Sequence, residues 1–179
     1  ARVPITNIEW TYGFGVYENL KVRNGNIFFA SEHVDRLLQS AEIIGLAHTL
    51  EKDEIRAWLY ELQAANAAAA ANIKMILVGG KTDADADLYI MTLAPKFIDK
   101  KVYREGVHTI TKKYERFLPQ AKTLNMLPSY LLLREARRAG AHDCLLIHRD
   151  GYALEGTRSN FFAIKGTELF TAPKQHVLA

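Results

Sequence analysis

Three charged residues stand where charge is costly unless it is put to use. Arg36 lies between Val34 and Leu37, two positions of a helical apolar stripe. An arginine there either covers apolar surface with its stem or turns a planar guanidinium inward, toward an oxyanion such as a phosphate. Lys122 sits in the apolar stretch Ala121-Lys122-Thr123-Leu124, and Glu155 follows Leu154 at the end of an apolar strand and precedes Gly156. Lysine and glutamate are rarely fully buried unless they are paired or chemically employed. Taken one at a time, each also has a plain reading, as a boundary arginine, a surface lysine and a strand-end glutamate.

Other suggestive motifs fail on chemistry. Tyr12-Gly13-Phe14-Gly15 matches no dinucleotide fingerprint, and Gly79-Gly80-Lys81-Thr82 lacks the upstream glycine of a phosphate loop. The six histidines form no paired zinc motif, and Asp83, Asp85 and Asp87 lack the glycine and terminal glutamate of a calcium loop. No metal site is expected. The single cysteine, Cys144, lies in the run Cys144-Leu145-Leu146-Ile147; it excludes an internal disulfide and reads as a buried, inert thiol.

Composition sets the frame. With 179 residues, 49% of them hydrophobic and a net charge of +3, the chain can bury a sizeable core as one large domain or two small ones. Its charges alternate in sign and form no stripe suited to nucleic acid or a membrane surface. No stretch approaches a membrane span, and residues 1–7 carry no leader core, so a cytoplasmic protein without nucleic-acid or membrane partners is expected.

The elements that must position the charges read as follows. Two apolar runs flank Asn24-Gly25, a strong hairpin signal. Ser31 is expected to cap a helix with the stripe Val34, Leu37, Leu38, Ala41 and Ile44, stopped by Gly45. Asp53 is expected to cap a second helix burying Ile55, Leu59 and Leu62. The alanine-rich run 64–72 reads as a helix tail entering a linker. Strands follow at Ile73–Val78 and Leu88–Leu93, and another at Val107–Thr111. Pro128 opens a helix that ends near Ala139-Gly140. Strands at Asp143–His148, Tyr152–Leu154, Asn160–Ile164 and Leu169–Thr171 complete the chain. The expected class is α+β: an N-terminal α+β lobe over 1–95, a connection over 96–106, and the first part of a strand-rich lobe over 107–179.

Four stretches then resemble, in order and spacing, the fold-type IV (class IV) pyridoxal-phosphate enzymes, which include branched-chain aminotransferases, D-amino-acid aminotransferases and aminodeoxychorismate lyase. They are YGFGVYENLKV (12–22), SEHVDRLLQSAEIIGL (31–46), AKTLNMLPSYLLLREARRAG (121–140) and EGTRSNFFAIKGTELFTAP (155–173). The resemblance implies an α/β sandwich lobe followed by a barrel-like lobe cut short at the C-terminus, pyridoxal 5'-phosphate as cofactor, amino-acid and 2-oxo-acid substrates, and a homodimer. It implies that Lys122 bonds the cofactor aldehyde, Arg36 binds its phosphate and Glu155 contacts its pyridine nitrogen. Tyr12, Tyr17 and Arg158 match positions near the substrate. The Arg-x-His pair of the D-specific enzymes is missing from Gly79–Asp83, and Met126-Leu127 stands where branched-chain enzymes carry a tyrosine. The reading that follows is an L-amino-acid aminotransferase for branched-chain or similar apolar substrates. Its alternatives are 4-amino-4-deoxychorismate lyase and a non-catalytic member of the same fold.

Overall fold

The computed structural model describes residues 6–178, so most of the opening segment read above for a leader lies outside the described residues. Contacts gather into two units: Ala1–Phe97 with Ala121–Leu124, and Ile98–Gln120 with Asn125–Ala179. By contact, Lys122 and its neighbours group with the first unit.

The first unit is built on an antiparallel sheet in the order β2-β1-β3-β4, formed by β1 (Gly15–Arg23), β2 (Asn26–Ile27), β3 (Ala70–Val78) and β4 (Asp87–Leu93). Asn24 and Gly25 both take positive φ in the tight β1–β2 turn. A short helix α1 (Ile8–Tyr12), which the sequence pattern did not reveal, precedes β1; Asn7 caps it and Gly13 ends it. Helices α2 (Ala30–Ile43) and α3 (Lys52–Asn66) complete the unit. The core joins Val16, Leu20 and Val22 of β1 to Val34, Leu37 and Ala41 of α2, Ile55 and Leu59 of α3, and Ile73, Met75 and Leu77 of β3. Alternation along β1 and 3.6-residue spacing along α2 bring these side chains to one interior.

Both expected caps in this unit are displaced. The hairpin continues to Phe28, whose N–H donates to the Lys21 carbonyl at 2.9 Å, so a single residue must turn the chain into α2. That residue is Phe29, the N-cap, in the left-handed region at φ 54°, and Ser31 lies inside the helix. Helix α3 begins earlier than expected. Glu51 is its N-cap, Glu54 accepts from the Glu51 N–H at 3.3 Å, and Asp53 sits in the first turn. The alanine-rich run is ordered throughout: α3 ends at Asn66, Ala67 adopts φ 46°, and β3 begins at Ala70 to pair with Arg23.

In the second unit, β5 (Thr109–Lys113) runs parallel to β6 (Asp143–Ile147), and β6 is antiparallel to β7 (Ala153–Gly156). Helix α5 (Leu127–Arg138), with Pro128 in its first turn, makes the crossover between the parallel strands. A separate hairpin joins β8 (Phe162–Lys165) to β9 (Glu168–Thr171). The expected connection contains a helical segment, α4 (Lys100–Glu105), capped by Asp99. Ala136, Ala141, Cys144, Leu146, Leu154 and Ala172 form this unit's core. Cys144 is fully buried there, and burial pushes its thiol above the ordinary value, in keeping with an inert sulfur.

Candidate active site

Strand β1 carries a carboxylate on its apolar face. Glu18 shares its face of the strand with Val16, Leu20 and Val22 and, like them, is wholly buried. Its Oε1 accepts from Arg36 Nε at 2.5 Å, and its Oε2 accepts from Arg36 Nη2 at 2.9 Å. His33 Nδ1 lies 2.8 Å from the same Oε2. His33 and Arg36 are three residues apart on α2, hence on one helix face. Burial alone would raise the Glu18 pKa. The bonds from Arg36 and His33, with the charges of Arg36 and Lys122, outweigh it and hold the carboxyl below its ordinary value. In turn, the bond to Glu18 raises the Arg36 guanidinium against the opposing effect of burial.

Lys122 reaches this unit as part of a short strand-like segment along β1. Tyr17 N–H donates to the Lys122 carbonyl and Leu124 N–H to the Gly15 carbonyl, each at 2.9 Å, while Val16 bridges Thr123. The Lys122 N–H donates to Ser40 Oγ on α2 at 3.1 Å, and Ser40 is buried. The Lys122 Nζ lies 5.0 Å from the centre of the Tyr17 ring. Because β3 occupies one edge of β1 along its whole length, the 122–124 segment shares the other edge with β2. Gly15 makes that approach possible: a Cβ there would stand 2.5 Å from the Leu77 carbonyl oxygen and 2.8 Å from Leu124 Cδ1.

In the second unit, Glu155 lies on β7 and is 3% exposed. Its Oε1 accepts from Arg116 Nε at 2.5 Å, and its Oε2 from the Leu178 N–H at 3.3 Å. Arg116 also donates to Ser129 Oγ at 2.6 Å and to the Thr157 carbonyl at 2.9 Å, tying the start of α5 to the turn after β7. The turn itself closes on Asp143, whose Oδ1 accepts from Thr157 Oγ1 at 2.5 Å and from the Cys144 N–H at 2.8 Å. A Cβ at Gly156 would meet Ser159 Oγ at 2.3 Å, so that hydroxyl would have to move aside. Glu155 borders a mainly apolar cavity of about 230 Å³, shared with Leu154, Phe161, Ala172, Val177 and Leu178.

The sequence-derived candidates therefore separate by unit. Lys122, Arg36 and Tyr17 belong to the first, with Tyr17 beside the lysine. Tyr12 is also there, at the end of α1 and largely exposed. Glu155 and Arg158 belong to the second, where Arg158 is exposed on the turn. The side chains that hold them, Glu18, Ser40, Arg116 and Asp143, were not singled out from the sequence. Among the described residues, no group of three or more His, Cys, Asp or Glu side chains is placed to hold a metal ion. In the first unit an amine on a sheet edge and a guanidinium on a helix, and in the second a buried carboxylate bordering an apolar cavity, are groups of the kinds that the aldehyde, the phosphate and the ring nitrogen of pyridoxal phosphate would each take.

Comparison with known proteins gives these clusters a family. The model of the class IV aminotransferases matches residues 15–179, and the chain belongs to that family. It is 32% identical to a D-alanine aminotransferase from Bacillus licheniformis and 28% identical to a putative branched-chain-amino-acid aminotransferase from Methanocaldococcus jannaschii; each match covers 97% of this chain and 64% of the relative. The chain thus spans less than two thirds, 64%, of the length of these curated relatives. Among solved structures, a putative 4-amino-4-deoxychorismate lyase from Legionella pneumophila is similar in fold with a TM-score of 0.87 at 24% identity, covering 99% of this chain and 69% of that one. A hypothetical aminotransferase from Mycobacterium tuberculosis, in its alpha-ketoglutarate and PMP bound form, is similar with a TM-score of 0.85 at 26% identity, covering 100% and 68%. The α+β class expected from the sequence is the fold of this family.

Proposed function

We propose that the protein transfers an amino group between an L-amino acid, branched-chain or similarly apolar, and a 2-oxo acid, using pyridoxal 5'-phosphate and acting as a cytoplasmic homodimer. One observation carries the reading: a matched class IV family model whose Lys122 is pinned by its backbone to β1 and α2, in the same unit as the Glu18–Arg36 pair. When bound, the cofactor supplies an aldehyde for amine exchange and a ring that accepts electrons from the substrate Cα.

The chain's own residues do the rest. Lys122 would hold the cofactor at its aldehyde and, as an amine, would be the group that takes and returns the proton at the substrate Cα. Arg36 binds the phosphate with a charge-assisted fork. Glu155 accepts a hydrogen bond from the protonated pyridine nitrogen; a carboxylate has about four lone-pair sites, and Arg116 and Leu178 take one on each oxygen. Tyr17 packs beside the reacting amine, and Tyr12 and Arg158 meet the substrate from exposed positions. The absence of an Arg-x-His pair from Gly79–Asp83 favours an L-amino acid, although the 32% identical relative is named a D-alanine aminotransferase.

The test is an assay of the full-length protein loaded with pyridoxal phosphate. Glutamate formed from L-leucine and 2-oxoglutarate, exceeding that formed from D-alanine, is the expected result. Pyruvate released from 4-amino-4-deoxychorismate without glutamate formation would replace this reading with the lyase, and neither activity would leave a non-catalytic member.

A further inference from the structure

The reading above leaves a fully buried glutamate, Glu18, unused, and its geometry assigns it a task. A carboxylate on the apolar face of a strand is costly to desolvate and is retained only where partners compensate it. Among the described residues Glu18 has two such side-chain partners, both from α2: Arg36 in a side-on, two-bond pairing at 2.5 and 2.9 Å, and His33 at 2.8 Å; the Asn19 N–H also donates to its Oε2, at 3.3 Å. The exposures differ in an informative way. Glu18 has no exposed side-chain surface, whereas 33% of the Arg36 side chain remains exposed. The carboxylate is thus a fixed point inside the unit, and the guanidinium it holds is a partly exposed charge. A free arginine side chain carries substantial rotamer entropy, and binding an anion with it means losing that freedom. An arginine whose plane is already set gives up less when it binds.

We propose that Glu18, itself steadied by His33, is the positioning residue that fixes the plane of the Arg36 guanidinium for the cofactor phosphate. The inference rests on the reading of Arg36 as the phosphate-binding residue. It predicts that Glu18 contributes to affinity for the phosphate and not for the rest of the cofactor.

The experiment compares dissociation constants of pyridoxal phosphate and pyridoxal for the full-length apoprotein, measured by absorbance titration, and takes their ratio as the phosphate preference. In Glu18→Gln, pyridoxal phosphate is expected to bind about tenfold more weakly while pyridoxal stays within about twofold. Arg36→Gln is expected to lose the preference to a greater extent, and adding Glu18→Gln to it should cause no further phosphate-specific loss. An unchanged or strengthened preference in Glu18→Gln, alongside a lost preference in Arg36→Gln, overturns the positioning role. A preference that survives Arg36→Gln overturns instead the reading on which it rests. If Glu18→Gln does not fold, His33→Ala, at a partly exposed position, carries the test: a selective loss of about threefold is expected, and equal loss for both ligands overturns the proposal.

Discussion

Arg116 holds Glu155 much as Glu18 holds Arg36: each of these two charges, proposed to meet the cofactor, is met within its own unit by an opposite charge from a different element. The side chains of Arg116 and Glu155 are only 11% and 5% exposed, so the bond between them lies in a medium where an unpartnered ion is heavily penalised. Arg116→Ala is therefore expected to lower the unfolding free energy by roughly 3–5 kcal/mol, read by urea denaturation. Arg116→Lys keeps a charge but lacks the fork that reaches Glu155, Ser129 and Thr157 together, so only part of the loss should be recovered. A change below about 0.5 kcal/mol in Arg116→Ala would show that the pair contributes no net stability. At this scale Arg36, Lys122 and Glu155 were legible because their apolar surroundings raise the question of what pays for the charge. Glu18 had a signal that went unused: it sits in phase with Val16, Leu20 and Val22, which puts it on the core face of β1. Arg116 had none, since the stretch from Tyr114 to Gln120 has no period from which burial could be inferred.

Among the elements, β1 organises the candidate residues of the first unit. One face packs Glu18 toward α2, Tyr17 points the other way, and the free part of one edge receives the Lys122 segment. Gly15 is where that design is least tolerant. A methyl group there meets a backbone carbonyl, which cannot rotate away as a side chain would, so Gly15→Ala should destabilise by roughly 1–3 kcal/mol and loosen the Lys122 segment. Hydrogen exchange checks this directly: the Tyr17 and Leu124 amides, which bond that segment to β1, should lose protection, and full protection would contradict the account. Strands and helices with strong periodicity were legible, from the Asn24-Gly25 hairpin to the Pro128 helix. What sequence could not supply was the start of α2 and of β3. Phe29 occupies a left-handed cap that its own propensity disfavours, and the alanines of 64–72 carry no alternation to separate helix from strand. In both places, tertiary pairing to β1 decides.

For the whole molecule, the return of Ala121–Leu124 to the first unit is the feature least visible from a linear reading. A lysine that follows the connection in sequence belongs by contact to the unit before it, because pairing along β1 is set by register and not by chain order. The four ordered motifs still pointed to the right family, since family membership depends on motif order and spacing, which this topology leaves intact. The central claim is that Lys122 is the amine that bonds the cofactor. It is tested most directly by adding pyridoxal phosphate to the full-length protein, reducing with borohydride, and locating the fixed phosphopyridoxyl group by peptide mass spectrometry. The account predicts the label on Lys122 and none in Lys122→Ala. A label on another lysine in the unaltered protein, or equal labelling of the variant, would contradict it.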